Sequence, residues 1–133
     1  MASSPQFVST PNVGLTKFVA ADGTTIKTIF SPGASGSRIF SLFATSDDTA
    51  ALQFAIYLVK ATVRYKLDVF TLPAATSVTP TTNWNILDIE WFTWLDQQEP
   101  NLMLPSGVTL EVGPLAAVTS GKEVSLVVMG GDF

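Results

Sequence analysis

The chain has 133 residues and a net charge of −4, with 14% charged and 47% apolar residues and neither histidine nor cysteine. That length suits one domain, and the missing residue types exclude disulfides, thiolate metal sites and histidine general-base chemistry. Only 7 basic residues in an acidic chain argue against binding a phosphate backbone, so no nucleic-acid partner is expected.

A typical domain carries about 25% charged residues, so the deficit here points to a surface partly covered in an assembly. No apolar run reaches the roughly 18 residues of a membrane span, so no membrane partner is expected. Residues 1–10 lack the basic start and apolar stretch of a secretion signal.

In chain order, residues 1–14 hold Pro5, Pro11 and small polar side chains, and read as a flexible N-terminal arm ahead of a domain at 15–133. The arm is either a disordered terminus or a strap over a neighbouring subunit, anchored by Phe7 and Val8. Residues 15–20 read as a short strand. Asp22-Gly23 is a hairpin signal leading into 24–30, where Ile26 and Phe30 share a face. Ser31-Pro32-Gly33 and Gly36 make the next turn. In 38–45, Ile39, Ser41 and Phe43 alternate with Phe40, Leu42 and Ala44; both faces are largely apolar, which predicts a central strand covered on both sides. Residues 46–49 are a polar loop.

Leu52, Phe54, Ile56 and Leu58 share one face of the next strand. Val63, Tyr65, Leu67 and Val69 then alternate with Arg64, Lys66 and Asp68, the cleanest half-buried pattern in the chain. Residues 73–82 read as a loop, exposed or covering a partner. Segment 84–95 mixes helical spacing with β-branched and aromatic content; the reading is a strand at 85–88 and one short helix near 88–96. Turns at 105–107 and 120–122 introduce strands at 108–112 and 123–129, and the chain closes on Gly130-Gly131-Asp132-Phe133. About eight short strands with frequent turns predict an all-β fold, a single antiparallel β-sandwich or jelly roll.

Chemistry-bearing clusters are sparse. Asp88 and Glu90 would share a strand face, with Asp96 and Glu99 nearby, but acids so placed are more often solvated than paired across a cleft. Asp47-Asp48-Thr49 lacks the alternating acids and glycine of a calcium loop, and reads as a turn with Asx capping. Serines have no histidine beside them, and Ser120-Gly121-Lys122 does not match a helix-borne serine–lysine pair. No catalytic, cofactor or metal residues are therefore assigned, and an enzyme is not expected. Trp84, Trp91 and Trp94 form a cluster that is core, protein interface or a sugar-stacking platform.

Three stretches resemble small head decoration, or cement, proteins of tailed bacteriophages. They are TIFSPGASGSRI at 28–39 continuing into SLFATSDDTA at 41–50, LPSGVTLEV at 104–112, and SGKEVSLVVMGGDF at 120–133. The resemblance implies a β-sandwich or jelly roll on the outer surface of the capsid in the virion. It implies a homodimer, or alternatively a homotrimer, bridging major capsid protein subunits with no cofactor and no catalytic residues. The expected contact residues are Phe7, Val8, Trp84, Trp91 and Trp94. The alternative is a carbohydrate- or receptor-binding β-sandwich of a phage tail or adhesion structure, which would need those tryptophans exposed.

Overall fold

The computed structural model describes residues 9–73 and 102–133. Among them lie eight strands: β1 (Thr10–Val19), β2 (Lys27–Phe30), β3 (Ser37–Ser46), β4 (Leu52–Lys60), β5 (Val63–Leu72), β6 (Leu102–Leu104), β7 (Val108–Pro114) and β8 (Glu123–Asp132). They form two antiparallel four-stranded sheets, ordered β1-β8-β3-β6 and β2-β7-β4-β5. The first strand pairs with the last, the second with the seventh, the third with the sixth and the fourth with the fifth. This nesting is a two-stranded ribbon folded over on itself, closed by the β3–β8 and β4–β7 ladders. It is the jelly-roll form of the expected all-β sandwich. The strand expected at 85–88 and the helix near 88–96 lie outside the described residues.

Alternation packs one face of each sheet inward. Phe18 on β1 meets Phe54 on β4 across the interior, ring centroids 5.7 Å apart, and Phe54 stacks on Phe70 of β5 at 5.5 Å. Ile39, Leu42, Leu110, Val112, Leu126 and Val128 fill the rest of this buried cluster. Each such side chain contributes about 1.5–3 kcal/mol by leaving water.

Several local expectations are corrected. β1 begins at Thr10, so residues 10–14 belong to the sheet rather than to an arm. Pro11 is tolerated because β1 is an edge strand with a ladder on one side only. Gly14 serves close packing, since a β-carbon there would collide with the Ile29 carbonyl of the opposite sheet. Asp22-Gly23 does turn the chain, with Asp22 accepting the Val19 N–H at 2.8 Å, but β1 and β2 lie in different sheets and form no hairpin. A local turn signal reverses the chain without choosing the sheet that receives it.

β3 is central, but among the described residues only one of its faces is covered, and a bulge between Ile39 and Ser41 leaves Phe40 exposed. β8 runs through its glycine pair to Asp132, because at Gly130 the bulged β3 backbone approaches too closely for a side chain. β5 is buried only at its end, through Phe70 and Leu72. A register shift opposite Ile56 and Tyr57 lets Leu67 pack against the core and leaves Val69 exposed, while Val63 and Tyr65 are exposed near the hairpin tip.

The β4–β5 hairpin turns through Ala61 and Thr62, with φ of 50° and 66°. A two-residue turn with both φ values positive normally takes Asn-Gly, and a β-branched residue is strained there. Thr62→Gly is therefore expected to raise the unfolding free energy by about 0.5–1 kcal/mol in denaturant titrations. A loss of stability would mean that the hairpin does not use this turn.

Candidate interaction surface

Two carboxylates tie the strands into place. Asp132, near the end of β8, accepts hydrogen bonds from the Ser37 hydroxyl of β3 and, at 2.8 Å, from the Asn12 amide of β1. Ser37 is fully buried and accepts the Gly33 N–H at 2.9 Å, while Asn12 also donates to the Ser31 carbonyl at 3.0 Å. The Ser-Pro-Gly turn and the Gly-Gly-Asp ending, far apart in the chain, thus form one joint. At the opposite end of the sheet Asp48 is fully buried in the β3–β4 loop. It accepts the Thr119 N–H and hydroxyl, each at 2.8 Å, and the Ala50 N–H at 2.9 Å, which closes an Asx turn.

Donated hydrogen bonds lower the pKa of Asp132, Ser37 foremost and then Asn12. For Asp48, burial pushes the pKa upward, but the bonds from Thr119, Ala50 and Thr49 outweigh it and the net direction is down.

These joints hold together a sheet whose outer face is apolar at its centre. Alternation turns Val13 and Leu15 of β1, Val127 and Met129 of β8, Phe43 of β3 and Met103 of β6 outward. Leu15 pairs with Val127, which pairs with Phe43; Val13 pairs with Met129 one step along. Leu15 is 76% exposed, Met103 64% and Val13 52%. Phe40, set outward by its bulge, lies under the Arg38 guanidinium at 5.3 Å. The patch spans about 20 Å along the strands and about 15 Å across them. That amounts to several hundred Å², the size at which an apolar surface marks an interaction site.

Among the described residues, charge on this face stands at its ends. Arg38 flanks one end beside Met103. At the other, Lys17 pairs with Glu123 at 3.2 Å, and Asp47 accepts the Glu123 N–H at 2.7 Å.

The outer face of the second sheet is different in kind. Arg64 pairs with Glu111 at 2.9 Å, and Lys66 lies over the Tyr57 ring at 5.9 Å. Lys60, Arg64 and Lys66 make the β4–β5 hairpin basic on an otherwise acidic chain. Val63 and Tyr65, at the hairpin tip past the packed core, are half exposed or more.

Phe7, Val8, Trp84, Trp91 and Trp94 lie outside the described residues, as do Asp88, Glu90, Asp96 and Glu99. Among the described residues no group of three or more Asp or Glu side chains is placed to hold a metal ion. The apolar face was only half legible in the sequence. The two-sided pattern of 38–45 signalled it, and the unbroken apolar run of β8 would have extended it. Val13 was concealed within the stretch that Pro11 and its small polar neighbours made read as an arm, whereas Leu15 stood at the start of the expected strand at 15–20.

The fold and this surface define a jelly-roll sandwich with one polar and one apolar outer face. No protein-family model matches the chain, and no curated protein does.

The carboxylate joints make stability depend on acid. A folded-state pKa below the ordinary 3.8 means that the unfolded chain takes up protons first, so stability is intact above that pH and is lost as pH falls through the lowered values. Unfolding curves should superimpose from neutral pH to about pH 5 and shift to lower denaturant below about pH 4. Asp48→Asn should flatten that acid limb and cost about 1–3 kcal/mol at neutral pH by leaving buried donors unmatched. An unchanged acid limb in this variant would remove Asp48 from the explanation.

Proposed function

We propose that the protein is a non-enzymatic assembly subunit that decorates and stabilises an icosahedral phage shell, bridging subunits of the major capsid protein on its outer surface. The observation that carries this reading is the uncharged apolar centre of the β1-β8-β3-β6 face, about the size of a small protein interface. A bridging protein needs more than one contact surface. The described residues offer two of opposite character: this flat apolar face, and the basic hairpin tip with Tyr65 and Val63. The resemblance of 28–50, 104–112 and 120–133 to cement proteins supplies the particular role. In that role, contacts of modest strength, repeated over a shell, hold collectively against outward pressure.

The experiment is co-sedimentation of the purified protein with tailed-phage shells stripped of decoration. Saturable binding is expected. Leu15→Asp, at an exposed position that folding does not require, should lower occupancy by at least about tenfold. Removing residues 1–8, which leaves β1 intact, tests the contact expected of Phe7 and Val8. The protein failing to coat shells while glycans quench its tryptophan fluorescence would overturn the reading in favour of a carbohydrate-binding module.

A further inference from the structure

We propose that the tip of the β4–β5 hairpin is the element that grips the shell, and that it takes an apolar side chain set among carboxylates on the major capsid protein. This rests on the decoration reading and deepens it by naming the gripping element and the chemistry of what it grips.

The register places the tip. Leu58 pairs with Tyr65 and Lys60 with Val63, so these four side chains share the face on which Leu52, Phe54 and Ile56 are buried further down β4. Leu58 still packs against the core, whereas Val63 and Tyr65 stand half exposed or more. The inward face of this sheet thus runs on past the core as a small apolar ledge. Arg64 and Lys66 stand on its other face, paired with Val59 and Tyr57. No acidic residue lies between Asp48 and Asp68 in the sequence. Glu111 of β7 pairs with Arg64 at 2.9 Å, and Lys60 and Lys66 leave the tip net positive on an acidic chain.

Guarding an open edge accounts for the cations but not for the valine and tyrosine between them. An aromatic centre inside a charged rim is the anatomy of a contact, and tyrosine and arginine are enriched where binding energy concentrates. The turn points the same way. Ala61 and Thr62 hold positive φ where Asn-Gly would relieve it, and strain of this kind gathers at functional segments. Charge complementarity selects an acidic partner. Lys60, Arg64 and Lys66 fall short of the roughly six to ten phosphate contacts that hold a protein on nucleic acid, which favours a protein groove over a polyanion.

The test is co-sedimentation with stripped tailed-phage shells, paired with an NMR titration of the full chain by the capped pentapeptide Glu-Glu-Leu-Glu-Glu. Tyr65→Ser should weaken shell binding by about tenfold or more, as should Lys60→Glu combined with Lys66→Glu. Both variants should unfold as the unaltered protein does, because the tip lies past the core. Raising salt from about 50 mM to about 500 mM should weaken binding of the unaltered protein by about tenfold. The peptide should shift the amide signals of residues 58–66 first and bind less in both variants. Shells that hold both variants as tightly as the unaltered protein overturn the ledge contact and leave the decoration role standing. Shells that hold none of the three overturn decoration, and the peptide then decides the ledge: shifts absent, or spread over the whole molecule, overturn it. Phosphatidylglycerol vesicles or duplex DNA displacing the peptide from the tip would overturn the choice of a protein partner.

Discussion

The carboxylate of Asp132 is where the two ends of the domain and its middle meet. A ribbon folded over on itself has its first and last strands side by side, and nothing local in the sequence brings them together. The ladder between β1 and β8 does so over ten residue pairs, but β1 is an edge strand interrupted by Pro11 and Gly14. The hydrogen bonds from Asn12 and Ser37 to one carboxylate fix its register at the point where the proline weakens the strand. Charge-assisted bonds are roughly twice as strong as neutral ones, and they are directional. A slip of one residue would turn Val13 and Leu15 inward and Phe18 outward. The joint at Asp132 therefore decides both what the core contains and what the outer face displays.

The strands themselves were legible wherever hydrophobic alternation ran unbroken. β4 buries Leu52, Phe54 and Ile56, as its pattern dictates. Reading failed where the period of two slips. Shifts in β2, β3 and opposite β5 each change which parity faces inward, and no residue type announces a bulge the way Asn-Gly announces a turn. Thus Ile29 and Phe30 are adjacent yet both buried, and the tidy alternation of 63–69 describes a strand mostly in water. Sheet membership was equally hidden, because it depends on pairings between residues more than a hundred positions apart. The apolar outer face combines both failures: four segments contribute to it, and of these the start of β1 reads as arm while β6 gives no strand signal of its own ahead of the turn at 105–107.

The scarcity of charge is not spread evenly over the molecule. The β2-β7-β4-β5 sheet carries an ordinary solvated outer surface in which Arg64, Glu111, Lys66 and Tyr57 partner one another across strands. Its companion sheet carries Val13, Leu15, Val127, Met129 and Phe43 on its outward side, beside the uncharged Ser41, Thr45 and Ser125. Solubility alone would favour charge on both faces. This asymmetry, on sheets that share one core, is what the proposed contact role rests on.

The edges of the sheets complete that argument. An open β-edge is the easiest place for two β proteins to join, and an uncontrolled one leads to aggregation. Here the edges are guarded by familiar devices. β1 has Pro11, β2 and β6 are four and three residues long, and β5 has a bulge with Arg64, Lys66 and Asp68 along it. Guarded edges disfavour strand-to-strand pairing, which leaves sheet-upon-sheet packing as the open route for any contact between sheets. Edge pairing tolerates many registers and can propagate without limit, whereas face packing must match side-chain shape. In the proposed role, the apolar patch serves face contact rather than edge-to-edge growth.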